Sequence, residues 1–286
     1  MSVENTIGNT PLVRLGEKLY AKLETFNPTG SIKDRLALYT LRKAEEEGKI
    51  KKGWTIVEAT SGNTGIAFAM LGSVRGYKVK IIMPRNMSAE RKQLMGMYGA
   101  EIIEVGYNAF KEAILLRDEI LSENINFWSP NQFENPYNIE CHEMTTAKEI
   151  IRQLFVEKRE NISALICGAG TGGTIMGVRK ALIKLDGGMS TILVAPVEDA
   201  KTHGIQGIND GEDFLVDRKL IDDEIKISTQ DAIERAKRLA RENGLFVGIS
   251  AGANVLGAER WLEENDISGA AVTFLPDRGE RYMSIF

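Results

Sequence analysis

The sequence predicts an α/β protein of two lobes, each a parallel or mixed sheet in three layers with helices on both faces. Three observations predict it. Strand-like and helix-like patterns alternate along most of the 286 residues. The strand-to-helix junctions at 60–65, 168–174 and 250–253 are rich in Gly, Ser, Thr and Asn. A loop over 129–138, with Pro130, Gln132, Asn135 and Pro136, interrupts the alternation and marks a domain crossing. The length suffices for two compact domains, and 43% hydrophobic content with 27% charge describes an ordinary globular chain with a substantial core.

In chain order, Pro28-Thr29-Gly30-Ser31 leads into a helix over 32–47. Ile32, Leu36 and Tyr39 recur at helical spacing, Ser31 sits at the N-cap, and Asp34 follows three residues on. Lys33 then lies in the first turn, facing the positive end of the helix dipole. An ammonium is disfavoured there, so a desolvated lysine gives up its proton more readily than a free one. An unprotonated lysine is what Schiff-base chemistry needs, although most lysines are solvated surface residues.

Thr55–Ala59 reads as a buried strand, followed by Thr60-Ser61-Gly62-Asn63-Thr64-Gly65 and an apolar helix over 66–74. Lys78–Pro84 is the next strand, then a helix over 88–98, a strand over 100–105, a helix over 109–123 and a strand over 125–128. Beyond the loop come a helix over 145–159, a strand over 163–167, the loop 168–174, a helix over 175–185 and a strand over 191–197. Residues 198–214 are irregular. A strand over 225–227, a helix over 230–243, a strand over 245–249, a helix over 250–264 and the strand Ala270–Leu275 complete the chain. No repeat of fixed period is present.

Composition excludes several classes. A net charge of -4 gives no general basic surface, which argues against nucleic acid and anionic membrane as partners. Two cysteines, Cys141 and Cys167, and two histidines, His142 and His203, are too few for a disulfide framework or a zinc cluster. The adjacent Cys141 and His142 read as structural, and no metal site is expected. The first dozen residues lack an apolar leader core, and no apolar run is long enough to span a bilayer. A cytoplasmic location follows by default.

The three junctions carry the chemistry. Each places free backbone N–H groups at a helix N-terminus, a ready anion site, and in parallel sheets such sites gather at the carboxyl ends of the strands. Gly and Ser also serve as plain turn residues, but three such junctions favour an anionic ligand. Gly168-Ala169-Gly170-Thr171-Gly172-Gly173 also satisfies the dinucleotide pattern, with Glu198 at the end of the following strand. An NAD-binding oxidoreductase is therefore a rival, though it leaves Lys33 and the 60–65 loop without a role.

Five segments occur together and in order: Pro28 to Arg35, Thr60 to Gly65, Gln132-Phe133-Glu134-Asn135-Pro136, Gly170-Thr171-Gly172-Gly173-Thr174, and Gly248-Ile249-Ser250-Ala251-Gly252. With Thr10-Pro11-Leu12-Val13-Arg14-Leu15 and Leu275-Pro276-Asp277-Arg278-Gly279-Glu280-Arg281-Tyr282, they resemble the cysteine synthase (O-acetylserine sulfhydrylase) family of fold-type II pyridoxal-phosphate enzymes over nearly the whole chain.

The resemblance implies a tryptophan synthase β-like fold with the site in the cleft between two lobes. It implies a smaller, mobile lobe over 33–137 and a larger one over 1–32 plus 138–286. By the same resemblance, Lys33 forms the Schiff base with pyridoxal phosphate, Gly170, Thr171, Gly172, Gly173 and Thr174 cradle its phosphate, Asn63 meets the ring hydroxyl, and Ser250 faces the pyridine nitrogen. Thr60, Ser61, Asn63 and Thr64, helped by Gln132, receive the substrate carboxylate. A serine hydroxyl holds a pyridinium less firmly than a carboxylate would, which suits β-replacement over a long-lived carbanion.

The implied reaction makes L-cysteine and acetate from O-acetyl-L-serine and sulfide, in a homodimer able to receive a serine acetyltransferase tail. O-phosphoserine as substrate, homocysteine as nucleophile and, further off, a serine dehydratase remain alternatives. Departures from the family pattern keep them open: Ala251 where a second serine is common, short stretches at 15–33 and 197–204, and Asn209-Asp210 after Ile208.

Overall fold

The computed structural model describes residues 2–60, 62–156, 158–185, 187–199, 202–208 and 213–286. Ser61, Asn209 and Asp210, all singled out above, lie outside the described residues. The strands are β1 (Leu12–Arg14), β2 (Leu19–Leu23), β3 (Thr55–Ala59), β4 (Lys78–Pro84), β5 (Glu101–Val105), β6 (Phe127–Trp128), β7 (Ile162–Gly168), β8 (Ser190–Pro196), β9 (Asp223–Ile227) and β10 (Ala270–Leu275). The α-helices are α1 (Lys33–Glu46), α2 (Asn63–Arg75), α3 (Ala89–Met97), α4 (Phe110–Glu123), α5 (Tyr137–Met144), α6 (Thr146–Ile151), α7 (Gly173–Leu182), α8 (Thr229–Asn243) and α9 (Ile249–Glu264). Among the described residues no helix is long and apolar enough to cross a membrane.

The chain divides into two compact units, Met1–Ile7 with Lys33–Tyr137, and Gly8–Ile32 with Asn138–Phe286. The first holds a fully parallel four-stranded sheet in the order β5-β4-β3-β6. All five residues of β3 are buried, as expected of a parallel strand covered on both faces. Successive side chains feed opposite cores. Ile56 joins Leu41, Ile66 and Phe68 on one face, while Val57 and Ala59 join Ile82 and Ala113 on the other. The N-terminal Met1–Ile7 belongs here and not with the larger unit, as the sequence division had it. Its Glu4 carboxylate takes Nε and Nη2 of Arg75, each at 2.7 Å.

The second unit holds six strands in the order β1-β2-β10-β7-β8-β9, parallel except for the β1–β2 pair. Along β7, Ala164 and Ile166 pack with Val255 and Ala258 of α9, while Leu165 and Cys167 pack with Ile150, Ile175 and Val178. Neither β1 nor β2 is legible in the sequence. β1 has three residues, and β2 carries the fully buried Lys22, whose ammonium lies 2.8 Å from Glu149 Oε2.

Two further expectations are corrected. The helix expected over 145–159 is α6, which runs into a π-helical turn at Arg152–Val156, and α5 already begins inside the expected loop. The strand expected over 245–249 does not form: Val247 makes a single bridge to Arg278, and Ile249 already begins α9.

Candidate active site

Lys33 opens α1, one residue later than the spacing suggests. The delay has a cause in pairing: Ser31 bridges Asp277, and the Ile32 N–H donates to Pro276 O at 2.8 Å, so both are tied to the C-terminal segment before the helix begins. Gly30 takes φ +79, and a Cβ there would lie 2.7 Å from Arg278 Cδ. Arg278 N–H and Arg281 Nη1 both donate to Gly30 O, at 3.2 and 2.9 Å, and Arg281 Nη2 donates to Thr29 O. The C-terminal segment therefore fixes the turn from which Lys33, itself half-buried, emerges.

In the smaller unit, β3 is followed by Thr60, whose N–H donates to Ile82 O at 3.1 Å and whose Oγ1 accepts from the Gly62 N–H at 3.2 Å. Gly62 stands at the N-cap of α2 and supplies no side-chain cap, and Asn63, half-buried, begins the helix. Thr64 Oγ1 donates to Gln132 Oε1 at 2.7 Å, both residues buried. The fold thus brings together Thr64 and Gln132, which are 68 positions apart in sequence.

In the larger unit, the loop after β7 is built tightly around its glycines. A Cβ on Gly170 would lie 2.6 Å from Gly207 O, and one on Gly172, which sits at φ +89, would lie 2.7 Å from Val216 Cγ2. A Cβ on Gly173 would collide with the Asn138 amide. Thr171 O accepts from the Leu215 N–H at 3.1 Å. Gly172 is the N-cap of α7 and has no side chain to offer; of the first-turn N–H groups, which have no intrahelical partner, that of Gly173 reaches Thr171 Oγ1 at 3.5 Å. Ser250, 4% exposed, lies in the first turn of α9, whose N-cap Gly248 also lacks a capping side chain. The Ser250 hydroxyl makes no hydrogen bond to another described residue.

The model of the pyridoxal-phosphate dependent enzyme family matches residues 3–277 of this sequence. The chain belongs to that family. A cysteine synthase of Staphylococcus aureus is 40% identical to it, over 99% of this chain and 95% of that protein. Among solved structures, an O-acetylserine dependent cystathionine β-synthase from Helicobacter pylori superposes with a TM-score of 0.94 at 31% identity, covering 100% of this chain and 98% of the other. A hydrogen sulfide-producing enzyme from Fusobacterium nucleatum superposes with a TM-score of 0.91 at 38% identity, covering 99% of each chain.

The residues present suit the family's cofactor. A phosphate monoester needs convergent N–H and O–H donors in a space free of side chains, and the glycine loop with the uncapped α7 N-terminus supplies both. Glu198, which a dinucleotide would require at its ribose, instead accepts from the Thr229 N–H at 2.8 Å. Family membership displaces the dinucleotide reading of the loop.

Several residues of this site escape sequence reasoning. Asn138 Nδ2 donates to Thr171 Oγ1 at 2.9 Å. His142, read from sequence as structural, lies with Nε2 3.2 Å from Thr174 Oγ1 and Nδ1 2.9 Å from Thr146 Oγ1. Asn254 Oδ1 accepts from the Gly168 N–H at 2.8 Å while its Nδ2 donates to Phe274 O at 3.0 Å. It ties the mouth of the loop to α9, and its spacing of four from Ser250 was the available signal. Burial pushes the Cys167 thiol up to about 12, so it is no nucleophile.

Proposed function

We propose that this enzyme is a cysteine synthase, converting O-acetyl-L-serine and sulfide to L-cysteine and acetate. In this reading Lys33 holds the aldehyde carbon of pyridoxal phosphate. Gly170 to Thr174 hold its phosphate, Asn63 its ring hydroxyl and Ser250 its pyridine nitrogen. The bound cofactor supplies the electron sink for removal of the substrate α-proton and loss of the β-substituent. Lys33 Nζ takes that proton and later returns it. Thr60, Ser61, Asn63, Thr64 and Gln132 bind the substrate carboxylate, and the 33–137 unit is the one that moves on binding.

The observation that carries the reading is Ser250: a buried serine, not an acid, whose hydroxyl is free of other described partners. A neutral partner restrains the ring as an electron sink, which suits β-replacement. The likeness to a cysteine synthase over nearly the full length points the same way. The likeness to an O-acetylserine dependent cystathionine β-synthase favours a second reading, with homocysteine as nucleophile.

Purified protein assayed with O-acetylserine and O-phosphoserine, each with sulfide and with homocysteine, separates these. Fastest turnover of O-acetylserine with sulfide is expected; faster turnover of either competitor replaces the reading. Borohydride reduction of the yellow holoenzyme should leave a pyridoxyl group on Lys33, and a label elsewhere removes Lys33 from its role. The proposal includes a cytoplasmic homodimer that accepts a serine acetyltransferase tail. Sedimentation with and without the corresponding peptide tests the assembly.

A further inference from the structure

One residue of the smaller unit is out of place by every rule of core composition. β3 is buried at all five positions, yet its fourth is Glu58, 0% exposed, in a strand otherwise of Thr, Ile, Val and Ala. Its Oε2 is buried with no hydrogen bond to a described residue. A buried carboxylate with an unengaged oxygen is costly, and an apolar side chain of similar size would serve the sheet better.

Glu58 is connected to the residues that the proposed function uses. Its Oε1 accepts from the Ala59 N–H at 2.9 Å, and the backbone amide of Gln132 helps to favour the ionised carboxylate. Arg117 on α4 lies with Nη1 3.6 Å from Glu58 Oε1 and donates from the same nitrogen to Asn131 Oδ1 at 3.1 Å. Asn131 adopts φ +45, a left-handed conformation that an asparagine tolerates when held. The pair thus grips both chain segments that end in substrate-binding candidates: Ala59 before Thr60, and Asn131 before Gln132.

We propose that Glu58, clamped by Arg117, is the positioning residue of the substrate-carboxylate site. Its ionised carboxylate sets the backbone of Ala59 and Gln132, so that Thr60 and the Thr64–Gln132 pair present their donors together. The inference rests on the reading of these residues as the carboxylate site. It makes amino-acid binding respond to the ionisation of a group that never touches the substrate.

The electrostatics are consistent with such a response. Burial raises the Glu58 carboxyl to about 7, against the opposing pull of Arg117 and the two amides. Arg117 is the charged group facing it among the described residues, with Asp118 engaging the guanidinium at 2.9 Å from Nε. Because the folded carboxyl titrates above an unfolded one, its contribution to stability is present below the unfolded value near 4.5 and is lost as pH rises towards 7. Substrate positioning runs the opposite way, being strongest where Glu58 is ionised.

The test compares wild-type holoenzyme with Glu58→Gln and Arg117→Met. The probe is L-methionine, an amino acid without a β-leaving group, titrated by the change in cofactor absorbance between pH 5.5 and 8.5. The α-amine of the probe titrates alike in all three proteins, so ratios isolate the Glu58 contribution. Glu58→Gln should bind about tenfold more weakly than wild type at pH 8.5 and equally at pH 5.5, since an ionised acceptor makes the stronger bonds. Arg117→Met should resemble Glu58→Gln up to pH 8, because loss of the cation moves the carboxyl titration upward. With the reactive substrate, KM should change with kcat held within about twofold.

The melting temperature of Glu58→Gln should rise relative to wild type from pH 5 to pH 8. A pH-independent binding ratio, with that melting difference intact, overturns the positioning role while leaving the carboxylate site standing. Failure of L-methionine to perturb the cofactor band of wild type overturns the carboxylate reading, and this inference with it.

Discussion

Helices α7 and α8 both follow strands of the same sheet and begin in opposite ways. α8 closes itself: Ser228 accepts from the Asp231 N–H at 3.1 Å, Asp231 places an acid in the first turn, and Gly244 ends the helix in the left-handed conformation. α7 has glycine at its N-cap, no capping side chain and no acid in its first turn. A helix whose N–H groups are satisfied by its own chain is a structural element. One with no side chain at its N-cap and only a long contact from Thr171 Oγ1 to its first N–H, within a loop where added Cβ atoms would collide, is suited to the anion proposed above. The difference lies in a few residues, since the two helices are otherwise ordinary amphipathic or buried segments.

The comparison breaks most severely if α7 is given what α8 has. Thr174→Asp puts a carboxylate in the first turn of α7, where it should cut affinity for pyridoxal phosphate by at least ~100-fold, because like charges meet at the phosphate. Equilibrium dialysis of the apo-protein measures this, and unchanged affinity would place the phosphate elsewhere. Gly172→Ala is next. At φ +89 and against Val216 it should cost cofactor affinity ~10- to 100-fold, with the circular dichroism of the fold retained.

Asn138→Ala removes the donor to Thr171 Oγ1 and should weaken cofactor binding about tenfold, in keeping with ~1–2 kcal/mol for one buried hydrogen bond. The smallest effect belongs to α8: Ser228→Ala should lower stability by ~1 kcal/mol and leave cofactor affinity and turnover unchanged. A loss of cofactor in that variant would erase the distinction between the two helices.

The legible parts of the molecule were those where local chemistry and tertiary role coincide. The parallel strands around Thr55–Ala59 and Lys78–Pro84 are apolar because both faces are covered, and apolar runs can be read. The glycine loop before α7 can be read because a tight strand-to-helix turn demands glycine at Gly170, Gly172 and Gly173. β2 could not be, since Lys22 owes its place to Glu149, more than a hundred residues away. Asn138, His142 and Asn254 are ordinary residues on helices, and only the fold reveals that their side chains end on Thr171, Thr174 and Gly168. Glu58 was not singled out in the sequence, where Thr55–Ala59 read simply as a buried strand, although an acid there is a conflict of levels of the kind that functional sites produce.

The central strand of the six-stranded sheet has a consequence for how the protein is made. β10 pairs with β2 on one side, Ala271 to Leu275 against Leu19 to Leu23, and with β7 on the other. On the ribosome, β1 and β2 emerge well before β7 to β9, yet the two groups cannot join until β10 has left the exit tunnel. The nascent chain therefore carries the open edge of β2 through most of its synthesis and that of β7 through the later part, the situation in which chaperones are most needed. The closing step links residues about 250 positions apart, a topology expected to fold slowly. A stop codon just before Ala270 would leave two separate half-sheets and would also remove the Pro276–Arg281 contacts to Gly30 and Ile32.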